Sequence, residues 1–190
     1  CVADGSANPT WIAADLLSQA EHDPRAAVFL ITPDKEFGEK VQAEMERQMK
    51  ELSRYEIMKS SVDDYAKAFL CKDAAQCFDI VNKIAPEHLE VELPNPKQYL
   101  PLIYNAGAIF LGKYTSEPIG DYMAGPNHTL PTSGTAAFSS PLGVYDFVKH
   151  SSVEMYNKEA FQKISKKVQL FAKAEGLTAH ANAMGVRDED

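Results

Sequence analysis

Three stretches of this chain put metal-ligating or proton-transferring side chains at short spacing. In SQAEH, Gln19 and His22 are three residues apart, so on a helix both project from one face near its carboxyl-terminal end. Taken alone, such a pair belongs more often to a solvated helix surface than to a metal site. The run IGDYMAGPNHTLP holds Asp121 and His128 seven residues apart in a segment without apolar periodicity, and the carboxyl-terminal region adds His180. Zinc accepts imidazole nitrogens and carboxylate or amide oxygens, and a catalytic zinc site leaves positions open for substrate. Gln19, His22, Asp121 and His180 would make such a set of two nitrogens and two oxygens, but spacing alone does not bring them together. In APEHLE, Glu87 and His88 are neighbours in a helix-to-strand turn. They suit an acid–base pair, with the histidine near neutrality and the carboxyl raised by partial burial, though taken alone a solvated turn is the favoured reading.

The elements that must position these groups can be read from periodicity. Asn8 followed by Pro9 is a helix start, the first as cap and the second at the first helical position. A helix is expected through WIAADLLSQAEH, ending near Asp23-Pro24. AAVFLIT (26–32) is a short apolar run that reads as a buried strand. From 33 to 52, Phe37, Val41, Met45, Met49 and Leu52 recur at helical spacing and should face inward. YAKAFLC (65–71), LEVEL (89–93) and AIFLG (108–112) read as further strands, with helices expected over 73–85 and 95–107. The opening CVAD reads as the tail of another strand. Helices alternating with strands predict βαβ units and a mostly parallel sheet, whose ligand crevice should lie beyond the carboxyl ends of the strands. The irregular segment after the last strand, holding Asp121 and His128, would then be a functional loop. Beyond it, VYDFVKH is expected as a short helix and SVEMY as extended chain. An amphipathic helix is expected over 157–176, with Phe161, Ile164, Val168 and Phe171 inward and Gly176 as its stop, followed by a short last helix. This divides the chain into an α/β body, 1–142, carrying the irregular loop, and a helical tail, 143–190.

Composition narrows the partners. The chain has 190 residues, 19 Lys and Arg against 27 Asp and Glu, and a formal net charge of −8, with no basic cluster. Nucleic acid is therefore not an expected partner. No apolar run reaches the roughly 20 residues that span a bilayer, so no membrane partner is expected either. Cys1, Cys71 and Cys77 form no CxxC pair and read as reduced thiols. A chain that opens on Cys1, with neither lipobox nor signal peptide, reads as a piece of a longer one.

Together, SQAEH, APEHL, NAGAIFLG, IGDYMAGPNHTLPTSGTA and EGLTAH with NAMGVR resemble histidinol dehydrogenase, in that order and over essentially the whole chain. The resemblance implies a partial Rossmann-like α/β fold with a small helical tail. It implies a zinc-dependent oxidation of L-histidinol to L-histidine with two NAD, through an enzyme-held aldehyde, in histidine biosynthesis. The zinc ligands it implies are Gln19, His22, Asp121 and His180. Glu87 and His88 would be the general acid–base pair, with His88 as base in the alcohol step and Glu87 activating water. The substrate would meet Gln19, His22, His88, Asp121, His128, Glu175 and His180. Members are homodimers whose tails cross, so Glu175 and His180 would serve a second copy's site. The implied location is the cytoplasm, or a plastid if the source is a plant. The resemblance also implies that the family's amino-terminal half, with most NAD contacts, is not present; no GxGxxG occurs here, so no residue of this chain is expected to hold NAD. The chain alone is then expected to be inactive, and its sheet to expose an apolar edge that drives association. Two other readings are a zinc-binding interaction module without catalysis and a related dehydrogenase for another amino alcohol.

Overall fold

A computed structural model describes residues 1–188. These fall into two compact units, Cys1–Phe147 and the residues from Val148 onward. In the first unit five strands form one sheet: β1 (Val2–Ala3), β2 (Phe29–Thr32), β3 (Lys67–Leu70), β4 (His88–Glu92) and β5 (Ala108–Leu111). Every pairing is parallel, in the order β3-β2-β1-β4-β5. That order is the Rossmann-like arrangement expected of alternating strands and crossover helices. The opening residues form β1 at the centre of the sheet. Its amide and carbonyl groups are bonded on both sides, to β2 and β4.

The helices divide between the two faces because strand side chains alternate. On one face α1 (Pro9–Ala20), α2 (Lys35–Met49) and α3 (Tyr55–Tyr65) bury Ile12, Leu17, Phe37, Val41, Met45 and Met58 against Ala3, Val28 and Leu30. On the other, α4 (Ala74–Ile84) packs Cys77, Phe78 and Val81 on Val2, Ile31, Leu89 and Val91. Burial and the neighbouring Cys71 push the Cys77 thiol up to about 12, so it acts as a small apolar side chain of this core. Asn8 caps α1 by accepting from the Thr10 N–H at 2.9 Å, with Pro9 in the first turn.

Four local expectations change. Residues 55–65, unread in the sequence, form α3; its buried stripe is little more than Met58 and Ser61, and Ser61 is made tolerable there by donating to the Ala26 carbonyl at 2.7 Å. Leu52 lies beyond the end of α2 and is exposed. The helix expected over 95–107 is a 3₁₀ helix, Pro96–Leu102, since Pro101 removes a donor from its interior. VYDFVKH contributes only a 3₁₀ turn, Val144–Phe147.

In the second unit α6 (Lys158–Ala174) ends at Gly176, whose φ of +76° supports a bond from the Leu177 N–H to the Ala172 carbonyl at 2.8 Å. The short α7 (Thr178–Gly185) folds back on α6. The buried residues here are Ser165, Ala172 and Ala181, and the small side chains let the helices approach closely. The stripe expected to face inward does not: Phe161 and Ile164 are half-buried, and Phe171 is 70% exposed. A single short helix cannot cover both the small-residue face and the apolar face of α6. No helix among the described residues is long and apolar enough to cross a membrane.

Candidate active site

The register that pairs Ala3 with Glu92 and Val2 with Val91 sends Leu89 and Val91 to the α4 face, and so turns His88, Glu90 and Glu92 to the α1 face. A strand bonded on both sides is ordinarily apolar on both faces. Three ionisable side chains on one face of β4 therefore need a polar enclosure. It is supplied by α1 on one side and by a short helix, α5 (Glu117–Tyr122), on the other. After β5 the chain turns back across the sheet, and α5 lies on Phe110. A Cβ on Gly120 would stand 2.6 Å from that ring, so only glycine allows this approach. The buried Glu90 carboxylate accepts the Glu117 N–H at 2.9 Å and ties the start of α5 to β4.

Between these elements lies a cavity of about 810 Å³. Gln19, His22, Glu87, His88, Asp121 and His128 all line it. Six groups separated by as many as 109 residues thus share one cleft. Gln19 is in the last turn of α1, and His22 follows it in a turn in which its N–H donates to the Gln19 carbonyl at 3.2 Å. Asp121 belongs to α5 and not to an irregular loop as expected, while His128 is exposed on the loop beyond it. Glu175 and His180 belong to the second unit and are exposed.

The cleft opens at the amino ends of the strands, against Cys1, the residues before β2 and the turn before β4. This reverses the expectation of a crevice beyond the carboxyl ends. The reason is α5: by returning over the sheet face it carries its acids to the end where α1 finishes and β4 begins. Ala85, at φ 48°, ends α4 in a left-handed turn and hands the chain to Pro86, Glu87 and His88.

Burial sets the electrostatics. The Glu87 carboxyl is raised from its ordinary value by desolvation and then by Asp121, with His22 opposing. Desolvation lowers His88, against the pull of Asp121, which favours a neutral imidazole able to accept a proton. Glu117 is pushed up to about 7 by burial and by Asp121 and Glu90. One donor atom each of His88, Glu117 and Asp121 lie within 4.8 Å of one another, a spacing that suits a bound cation.

Sequence reasoning missed Asp15, Glu90, Glu92 and Glu117. The signal for Glu90 and Glu92 was present in the alternation of HLEVE, which is too polar for a central parallel strand. Burial and mutual repulsion push Glu92 up to about 7; Asp15 also reaches about 7, by burial, Glu90 and Glu92. Both acids hold protons in the folded chain that the unfolded chain releases above about pH 4. Stability is therefore fully present below that pH and is lost as pH rises toward 7. Because the groups are only partly buried, screening holds the loss to about 1–2 kcal/mol. Melting of the metal-free chain should fall by about 5 °C between pH 5 and pH 8. A flat or rising melting temperature across that range, followed by circular dichroism, would contradict this.

A parallel Rossmann-ordered sheet with imidazole, carboxylate and amide side chains gathered in one cleft defines an α/β protein whose cleft has the donor types for a cation. Comparison places it more narrowly. The sequence profile of the histidinol dehydrogenase family matches residues 1–188. Histidinol dehydrogenase of Aquifex aeolicus is 53% identical over 189 residues, covering 100% of this chain and 44% of that protein. The Listeria monocytogenes serotype 4b protein of the same name is 54% identical with the same coverage. The crystal structure of histidinol dehydrogenase from Elizabethkingia anophelis superposes with a TM-score of 0.90 at 36% identity, over 99% of this chain and 43% of that one. The chain belongs to the histidinol dehydrogenase family and spans less than half the length of these relatives.

Proposed function

We propose that this chain carries the metal-binding and acid–base part of a histidinol dehydrogenase, which oxidises L-histidinol to L-histidine through histidinaldehyde with two NAD in the cytoplasm. The observation that supports this reading is the meeting of Gln19, His22, Glu87, His88, Asp121 and His128 in one cavity. A metal-binding module without catalysis would have no use for Glu87 and His88 there.

Zinc would be held by the Gln19 amide oxygen, the His22 imidazole and the Asp121 carboxylate, with His180 from a second copy as fourth ligand. The donor types fit: a neutral imidazole, a carboxylate and an amide oxygen are borderline-to-hard ligands on a shared wall. When bound, the ion would anchor the amine and imidazole of L-histidinol, and NAD would accept hydride in each of the two oxidations. His88 takes the hydroxyl proton from the alcohol, leaving a carbonyl where the carbon loses its hydride. Glu87, raised by burial, takes a proton from water as the water oxygen bonds to the aldehyde carbon. The resulting hydrate again gives up a hydroxyl proton and a hydride, which yields the acid. His128, and Glu175 from the second copy, contact substrate. The exposed apolar surface of the second unit, Phe171 and Leu170 on α6 and Val153 and Met155 before it, supports association with that copy.

The test is a chimera in which this chain replaces the matching stretch of the Aquifex aeolicus protein. It should form NADH only with L-histidinol, and chelator should abolish the rate. The chain alone should bind zinc without forming NADH. A folded, zinc-loaded chimera that is inert toward L-histidinol would sink the reading.

A further inference from the structure

The Nε2 atom of His88 is the one buried side-chain nitrogen or oxygen among the described residues that lacks a hydrogen-bond partner. Its nearest ionic neighbour is the Glu117 Oε1 at 3.7 Å, and the His88 and Glu117 side chains are only 12% and 5% exposed. A sealed imidazole N–H without an acceptor is costly, and the gap exceeds a hydrogen bond by only about 0.8 Å. Glu117 cannot swing away easily, because its own N–H is held by the Glu90 carboxylate and its side chain meets Gln19 and Asp121. The His88 ring is braced from another side by Phe110, with ring centroids 6.0 Å apart.

We infer that Glu117 is a positioning residue for His88: its carboxylate accepts the Nε2–H, fixing the ring's orientation and its tautomer, so that Nδ1 keeps the free lone pair. A neutral imidazole has one donor and one acceptor nitrogen, so whichever nitrogen is bound as donor decides which one can take a proton. Glu90 then acts one step further out, by holding the backbone of Glu117. The role in proton transfer rests on the reading of His88 as the base; the tautomer does not.

The experiment is long-range proton–nitrogen NMR of the chain labelled with ¹⁵N-histidine, at pH 8, with His88→Asn identifying the His88 signals. The wild-type spectrum should show a single Nε2–H tautomer, and Glu117→Leu should give a mixture or the opposite tautomer. An Nδ1–H tautomer in the wild type overturns the inference even if the variant does not fold. An unchanged tautomer in a folded Glu117→Leu variant, which has no side-chain acceptor, overturns it as well. In the chimera, Glu117→Gln should lower kcat by about 10-fold to 100-fold with KM little changed, as loss of a supporting hydrogen bond does. An inactive wild-type chimera would fail the functional reading and leave the NMR result to decide the tautomer.

Discussion

His88→Asn is expected to lower kcat for L-histidinol oxidation in the chimera by about 10²-fold to 10⁴-fold, the usual loss when a positioned general base is removed. Asparagine keeps a polar side chain of similar reach but has no lone pair basic enough to take the hydroxyl proton. Zinc content should not change. That second measurement matters because His88 also lies with Glu117 and Asp121 in a spacing that could hold a cation. If His88 were a ligand and not a base, the variant would lose metal and activity together. Full activity in a zinc-loaded His88→Asn enzyme would remove His88 from the chemistry.

His180→Asn should weaken zinc by at least about 100-fold, because losing a ligand costs more than losing a group that merely supports one. The first unit provides Gln19, His22 and Asp121 but not His180. If the fourth ligand comes from a second copy, two dead variants should repair each other. Mixing unfolded His22→Asn and His180→Asn chains and refolding them together should restore about a quarter of the wild-type zinc, since half the dimers are mixed and half their sites intact. No recovery on mixing, with dimers confirmed by light scattering, would place His180 in its own subunit's site or outside any site.

How much of this the sequence carries differs from element to element. Asn8-Pro9, the Phe37-to-Met49 stripe and Gly176 depend on neighbours within a turn or two, so local rules found them. Tyr55–Tyr65 escaped because its buried face is narrow and partly polar. The direction of the cleft escaped for a different reason. The chain turns back over its own sheet and so departs from the general rule for parallel sheets, and nothing local in GKYTSEPIGDY announces that return.

Residue type and short-range spacing carry the alternation of strands and helices, the candidate ligands and the candidate acid–base pair. Long-range packing lays α5 on Phe110 across β4, stands Glu90 and Glu117 behind His88, and brings the groups together at the amino ends of the strands. Those facts depend on contacts beyond a turn or two of chain, from Gly120 on Phe110 to Glu117 on Glu90, 27 positions apart. Such pairings are selected by packing and by the need to satisfy buried polar groups, neither of which a linear pattern contains.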